Sequence, residues 1–169
     1  MNRQAYFRPV GRWFLLVALL IFAAQAVPPT QLVLSAEGLP YDEAADARQQ
    51  IAGALAAAKQ DGRYVLLDFG ANWCPDCRVL GSYLENGPLK TLVDQNFHLV
   101  SIDVGRWNRN TDIAAQYGNP IKKGIPAVVV LDPQGKIVGS TAGGELSKAR
   151  TMTAQQVSTL LEAWTPKAR

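Results

Sequence analysis

The fold the sequence predicts is an α/β domain, three layers deep, with a central mixed sheet between helices. Three observations carry that expectation. From residue 42 onward, stretches with helical periodicity alternate with short, β-rich apolar runs. The last two of those runs are joined by a tight turn, so one strand must return antiparallel and the sheet is mixed. About 143 of the 169 residues follow an N-terminal hydrophobic segment, enough for one domain around one core.

Asp42 is expected to cap the first helix, with acids in its first turn. Ala44, Ala47, Ile51, Leu55 and Ala58 then recur at intervals of three and four, the stripe of an amphipathic helix, and Gly62 closes it. Tyr64–Phe69 (YVLLDF) reads as a buried strand. The next helix begins at the cysteines, with Pro75 in its first turn and Val79, Leu80, Tyr83 and Leu84 at helical spacing. Asn86-Gly87-Pro88 breaks it, and Pro88 restarts a short helix through Leu89, Leu92 and Val93. Phe97–Val104 is a strand, and Thr111–Tyr117 is a short helix capped by Asn110 or Thr111. Ala127–Leu131 is a strand, 132–135 (DPQG) a turn, and Lys136–Ser140 the returning strand. Thr153 caps a last helix that buries Val157, Leu160, Leu161 and Trp164. The chain has no internal repeat and no low-complexity segment.

The N terminus bears on the chemistry. Arg3, Arg8 and Arg12 precede the apolar run Trp13–Ala24, and Ala24-Gln25-Ala26 offers small residues at a cleavage site. This is the pattern of a secretory signal spanning 1–26. Twelve residues make about 18 Å of helix, short of the ~30 Å hydrocarbon core; left uncleaved, the segment would be a weak anchor. No cysteine lies near the site, which argues against lipid attachment. Residues 27–41, rich in proline, are expected to be an exposed leader, and 42–169 the folded domain. The net charge of +3 resides in the three arginines; the other 14 Lys/Arg match 14 Asp/Glu, so nucleic acid is not an expected partner.

Cys74 and Cys77 are the only cysteines, within Gly70–Leu80 (GANWCPDCRVL). So short a loop makes a poor structural staple. A sulfur where a strand hands over to a helix meets unpaired N–H groups and a partial positive charge, which favour its thiolate. Cys74 is therefore the expected exposed nucleophile, and Cys77, one turn on, the buried resolver of a mixed disulfide. An acid inside an apolar strand is expensive without a task or a partner, and burial would raise the pKa of Asp68 toward a value useful for proton transfer.

The motif Trp73-Cys74-Pro75-Asp76-Cys77 resembles the redox motif of the thioredoxin superfamily, and its Pro-Asp pair that of the WCPDC-type thioredoxin-related proteins. The resemblance extends over about residues 42–164. Asp68, six residues before Cys74, matches the family's buried acid, and Gly124-Ile125-Pro126 its cis-proline loop. It implies a thioredoxin-like fold and a disulfide oxidoreductase with catalytic Cys74, Cys77 and Asp68. Trp73, Pro75, Ile125 and Pro126 would bind substrate, and Asp76 would tune the couple. The broken helix at 86–88, the loop 105–110 and the segments 119–123 and 145–152 depart from thioredoxin and look more like exported bacterial relatives. A soluble periplasmic monomer is implied, acting on protein disulfide clients and recharged by a membrane-bound electron donor, without a cofactor.

A carboxylate at Asp76, between the cysteines, disfavours a neighbouring thiolate, with Arg78 as a partial offset, so a reducing couple is expected. Arg106, Trp107 and Arg109 are a candidate recognition patch, against a solvated loop as the plainer reading. The alternative is a Cu(I)-binding or metal-delivery module using the same two thiols. Zinc needs two further ligands, and His98, the only histidine, is expected in the core rather than at a metal.

Overall fold

The computed structural model describes residues 38–166; the signal pattern at 1–26 and most of the proposed leader lie outside them. Asp46, not Asp42, caps the first helix, α1 (Ala47–Asp61), accepting the N–H groups of Arg48 and Gln49. Asp42 instead holds a turn one step earlier through the N–H of Ala44, which is why the acid-rich stretch looked like a helix start. Gly62 ends α1 at φ 81°, a left-handed position that glycine takes without strain.

The strands are β1 (Tyr64–Gly70), β2 (Phe97–Asp103), β3 (Ala127–Leu131) and β4 (Ile137–Ser140), ordered β2-β1-β3-β4. β1 runs parallel to β2 and antiparallel to β3, and β4 closes the antiparallel edge, so the mixed sheet is as expected. Alternation in β1 splits the core. Val65, Leu67 and Phe69 face α1 and the short helix α4 (Thr111–Gln116). Leu66 faces α2 (Pro75–Glu85), α3 (Lys90–Asn96) and α5 (Ala154–Glu162). Both sides being covered, β1 and β3 read as continuous apolar runs rather than alternating ones.

α2 ends where anticipated. A Cβ at Gly87 would lie 2.7 Å from the Ser82 carbonyl oxygen, so the chain can fold back tightly there only as glycine. α3 then starts at Lys90, two residues after the predicted restart at Pro88. α5 carries the expected cap, with Thr153 and Gln156 satisfying each other's backbone N–H groups. Asn110 precedes α4, but its amide donates to the Asp103 carbonyl instead of capping the helix.

The leader ends sooner than its prolines suggested. Tyr41 is only 2% exposed, and Pro40 packs so closely on α2 that a Cβ at Gly81 would meet it at 2.3 Å. The folded domain therefore includes residues 40 and 41. His98 is neither a core residue nor part of a metal cluster. It pairs with Asp61 at 3.0 Å at the sheet edge, and no group of three potential metal ligands occurs among the described residues.

Candidate active site

Cys74 is the N-cap of α2, held in extended backbone where β1 gives way to the helix. Its Sγ accepts the N–H of Cys77 at 3.3 Å, the interaction a helix start offers to an anion. The two sulfurs are joined as a disulfide with a Cα–Cα distance of 5.3 Å. Cys77 is sealed from solvent and Cys74 is 5% exposed. The exposed nucleophile expected at Cys74 is instead buried, tucked against the chain with the Ile125 carbonyl oxygen 3.8 Å from its sulfur. The Ile125–Pro126 peptide is cis, and both residues are buried. Pro75 is exposed at the first position of α2.

Trp73 stands at the rim, 44% exposed, and its indole N–H donates to the Gly105 carbonyl at 2.8 Å. The Arg106 guanidinium lies over its ring, 5.6 Å from the centroid. Arg109 departs from the expected patch. It turns back to the Glu43 carbonyl and to Asp103, at 3.4 Å, and so fastens the loop to the domain.

Asp76 is engaged by a residue of a distant segment. Its Oδ1 accepts the backbone N–H of Arg150 at 3.0 Å, and its Oδ2 lies 3.6 Å from the Arg150 guanidinium. The offsetting cation is thus Arg150, on the turn before α5, and not Arg78. A partner 74 positions away cannot be read from local spacing.

Asp68 is fully buried on the same face of β1 as Leu66, opposite Ser101 of β2 and Val128 of β3. Its Oδ2 accepts the Tyr41 hydroxyl at 2.8 Å, and its Oδ1 has no partner. Burial raises its pKa to about 7; the Tyr41 hydrogen bond opposes that rise, and the charge of Glu85 adds to it. Burial, with Asp68 beside it, also raises the Tyr41 phenol well above its ordinary value. Tyr41 is the site-region residue that sequence reasoning missed. The one available signal was Asp68 itself, since an acid in an apolar strand requires a polar neighbour.

The thioredoxin-like family model matches residues 46–133. A disulphide isomerase from Xylella fastidiosa Temecula1, of known crystal structure, is 47% identical with a TM-score of 0.70, over 73% of this chain and 95% of that one. Thiol:disulfide interchange protein DsbD 2 of Pseudomonas aeruginosa is 32% identical over 83 residues, 48% of this chain and 14% of that protein. DsbD of Vibrio vulnificus is 34% identical over 86 residues, 51% of this chain and 14% of that protein. The matched half of the chain thus covers about a seventh of the length of these interchange proteins.

Proposed function

Because the chain belongs to the thioredoxin-like family, we propose that it is a thiol–disulfide oxidoreductase that reduces or isomerises protein disulfides through Cys74 and Cys77. The observation that carries this reading is the Cys77 N–H directed at the Cys74 sulfur at a helix start. The Cys74 thiolate attacks one sulfur of a client disulfide, and the client's other sulfur leaves as a thiolate. Cys77 then attacks Cys74, which frees the second client sulfur. Two electrons and two protons pass to the client, and the Cys74–Cys77 disulfide remains. A membrane-bound donor would have to return the electrons.

Asp68 is the proposed carrier of the Cys77 proton, with its unpartnered Oδ1 open to take it. Tyr41 then sets how tightly the acid holds that proton. In a Tyr41→Phe variant the carboxylate loses its one hydrogen bond, so Asp68 should stay protonated to higher pH. The pH profile of mixed-disulfide resolution should move to the alkaline side, at a stability cost of about 1 kcal/mol. An unmoved profile would remove Asp68 from the proton path.

The electron-donating direction is supported by the absence of a cation in the Pro75-Asp76 pair, although Arg150 weakens the push of Asp76 against a thiolate. One neutral N–H stabilises a thiolate less than a charged donor would. Equilibration with glutathione should place the couple toward about −270 mV, and a value near −120 mV would reverse the direction. The signal pattern at 1–26 supports cleavage and work in the periplasm by the remaining chain. Among the described residues, no helix is long and apolar enough to cross a membrane.

A further inference from the structure

A groove of about 480 Å³ that the proposed chemistry does not use is lined by Trp107, Thr111, Asn119, Ile121, Lys122 and Gly124. Gly124 leads directly into Ile125, whose carbonyl faces the Cys74 sulfur, so the groove ends one residue from the reacting atom.

Trp107 is 47% exposed and sits at φ 66°, a left-handed conformation that is unfavourable for a bulky residue. The loop that displays it is tied down on both sides. Gly105 is held by Trp73, the Arg106 N–H by the Asn108 side chain at 2.9 Å, and Asn110 by the Asp103 carbonyl at 2.8 Å. The indole is thus presented by a fixed loop, which lowers the ordering cost of anything that packs on it. Exposed tryptophans in such settings are favoured binding anchors.

Cations lie beside this groove, and Glu145, on the turn that packs against Lys123, is an acid in the same region. Among the described residues, Arg106, Lys122 and Lys123 have no carboxylate in ion-pair range. The nearby acids Asp76, Asp103 and Asp112 are taken by Arg150, Arg109 and Arg48. An apolar anchor next to unpaired cations is complementary to an acidic, partly apolar strand of chain.

We propose that this groove selects client segments that carry an apolar residue and an acidic residue beside the target cysteine. The apolar side chain packs between Trp107 and Ile121, and the acid faces Lys122. The proposal rests on the oxidoreductase reading and names its substrate class.

The test uses the full chain and two disulfide-bonded peptides that differ only in Asp-Leu against Lys-Leu beside the cysteine, with a small aromatic disulfide as reference. At low salt kcat/KM should favour the acidic peptide by about fivefold, and the gap should close as salt rises. Lys122→Glu should reverse the preference. Trp107→Ala should lower kcat/KM for the acidic peptide about tenfold more than for the small disulfide. Equal rates on the two peptides in the wild-type chain, or a preference that Lys122→Glu leaves untouched, overturns the proposal. If no disulfide is reduced at all, the oxidoreductase reading falls. The groove is then judged by titrating Cys→Ser versions of both peptides into the chain and following tryptophan fluorescence. Tighter binding of the acidic peptide supports it, and equal affinity overturns it.

Discussion

An Asp68→Asn variant should gain stability over the wild-type chain as pH rises, by about 4 kcal/mol between pH 3 and pH 8. The sign follows from the direction of the shift. Asp68 has a folded pKa of about 7 against an ordinary value of 3.8, so between those values the folded state holds a proton that the unfolded state has released. Stability therefore falls as pH rises through that window, and above about 7 the full cost of burying the charge is present. At about 1.4 kcal/mol per pH unit the window corresponds to the stated 4 kcal/mol, on the order of 10 °C in Tm. Below pH 3.8 acid and amide are both neutral and the difference should vanish. The amide keeps an acceptor for Tyr41, so shape and packing are retained. The activity should move the other way. Without the acid, resolution of the mixed disulfide at pH 8, where the Asp68 carboxylate is free to take the Cys77 proton, should slow about 100-fold. Paired denaturation curves at the two pH values check the first half, and stopped-flow kinetics the second. A stability difference that does not change with pH would mean that Asp68 is not the titrating group.

The second large effect belongs to the cysteines. Cys77→Ala should turn the chain into a trap, with the client held at Cys74 and its release slowed by at least about 1,000-fold. The substitution removes the resolving sulfur and keeps the backbone N–H that Cys74 accepts, so the nucleophile retains its helix-end stabilisation. Cys74→Ala should form no adduct and lose the N-cap as well, at about 1 kcal/mol of helix stability. Intact mass under non-reducing conditions distinguishes the two. An adduct on Cys77 of the Cys74→Ala chain would reverse the assigned order of attack. That outcome is disfavoured by access, since Cys77 is sealed while Cys74 keeps a 5% opening.

Much of this site could be read in advance because its parts are local. Cys74 and Cys77 are three apart, Pro75 follows the first sulfur, and the strand before them is a short apolar run; helix-start chemistry needs nothing more distant. The limits of β3, the Gly62 stop, the Thr153 cap and the break at Gly87 were legible for the same reason, each being set by neighbours within a few residues. The errors have two causes. Asp42 looked like a cap because capping residues and turn residues are chemically the same. His98 looked like core because its partner, Asp61, comes from another element.

Sequence alone determined the order of elements, the placing of one sulfur at a helix start and the presence of a costly acid in a buried strand. Only the folded chain decided which side chains answer those groups. Tyr41 reaches Asp68 across 27 positions, Arg150 reaches Asp76 across 74, and the Trp73 indole finds the Gly105 carbonyl across 32. Periodicity and capping act over one or two turns of chain. Desolvation and charge pairing depend on what packs nearby in space, and that is settled only when the sheet and its two helical layers close.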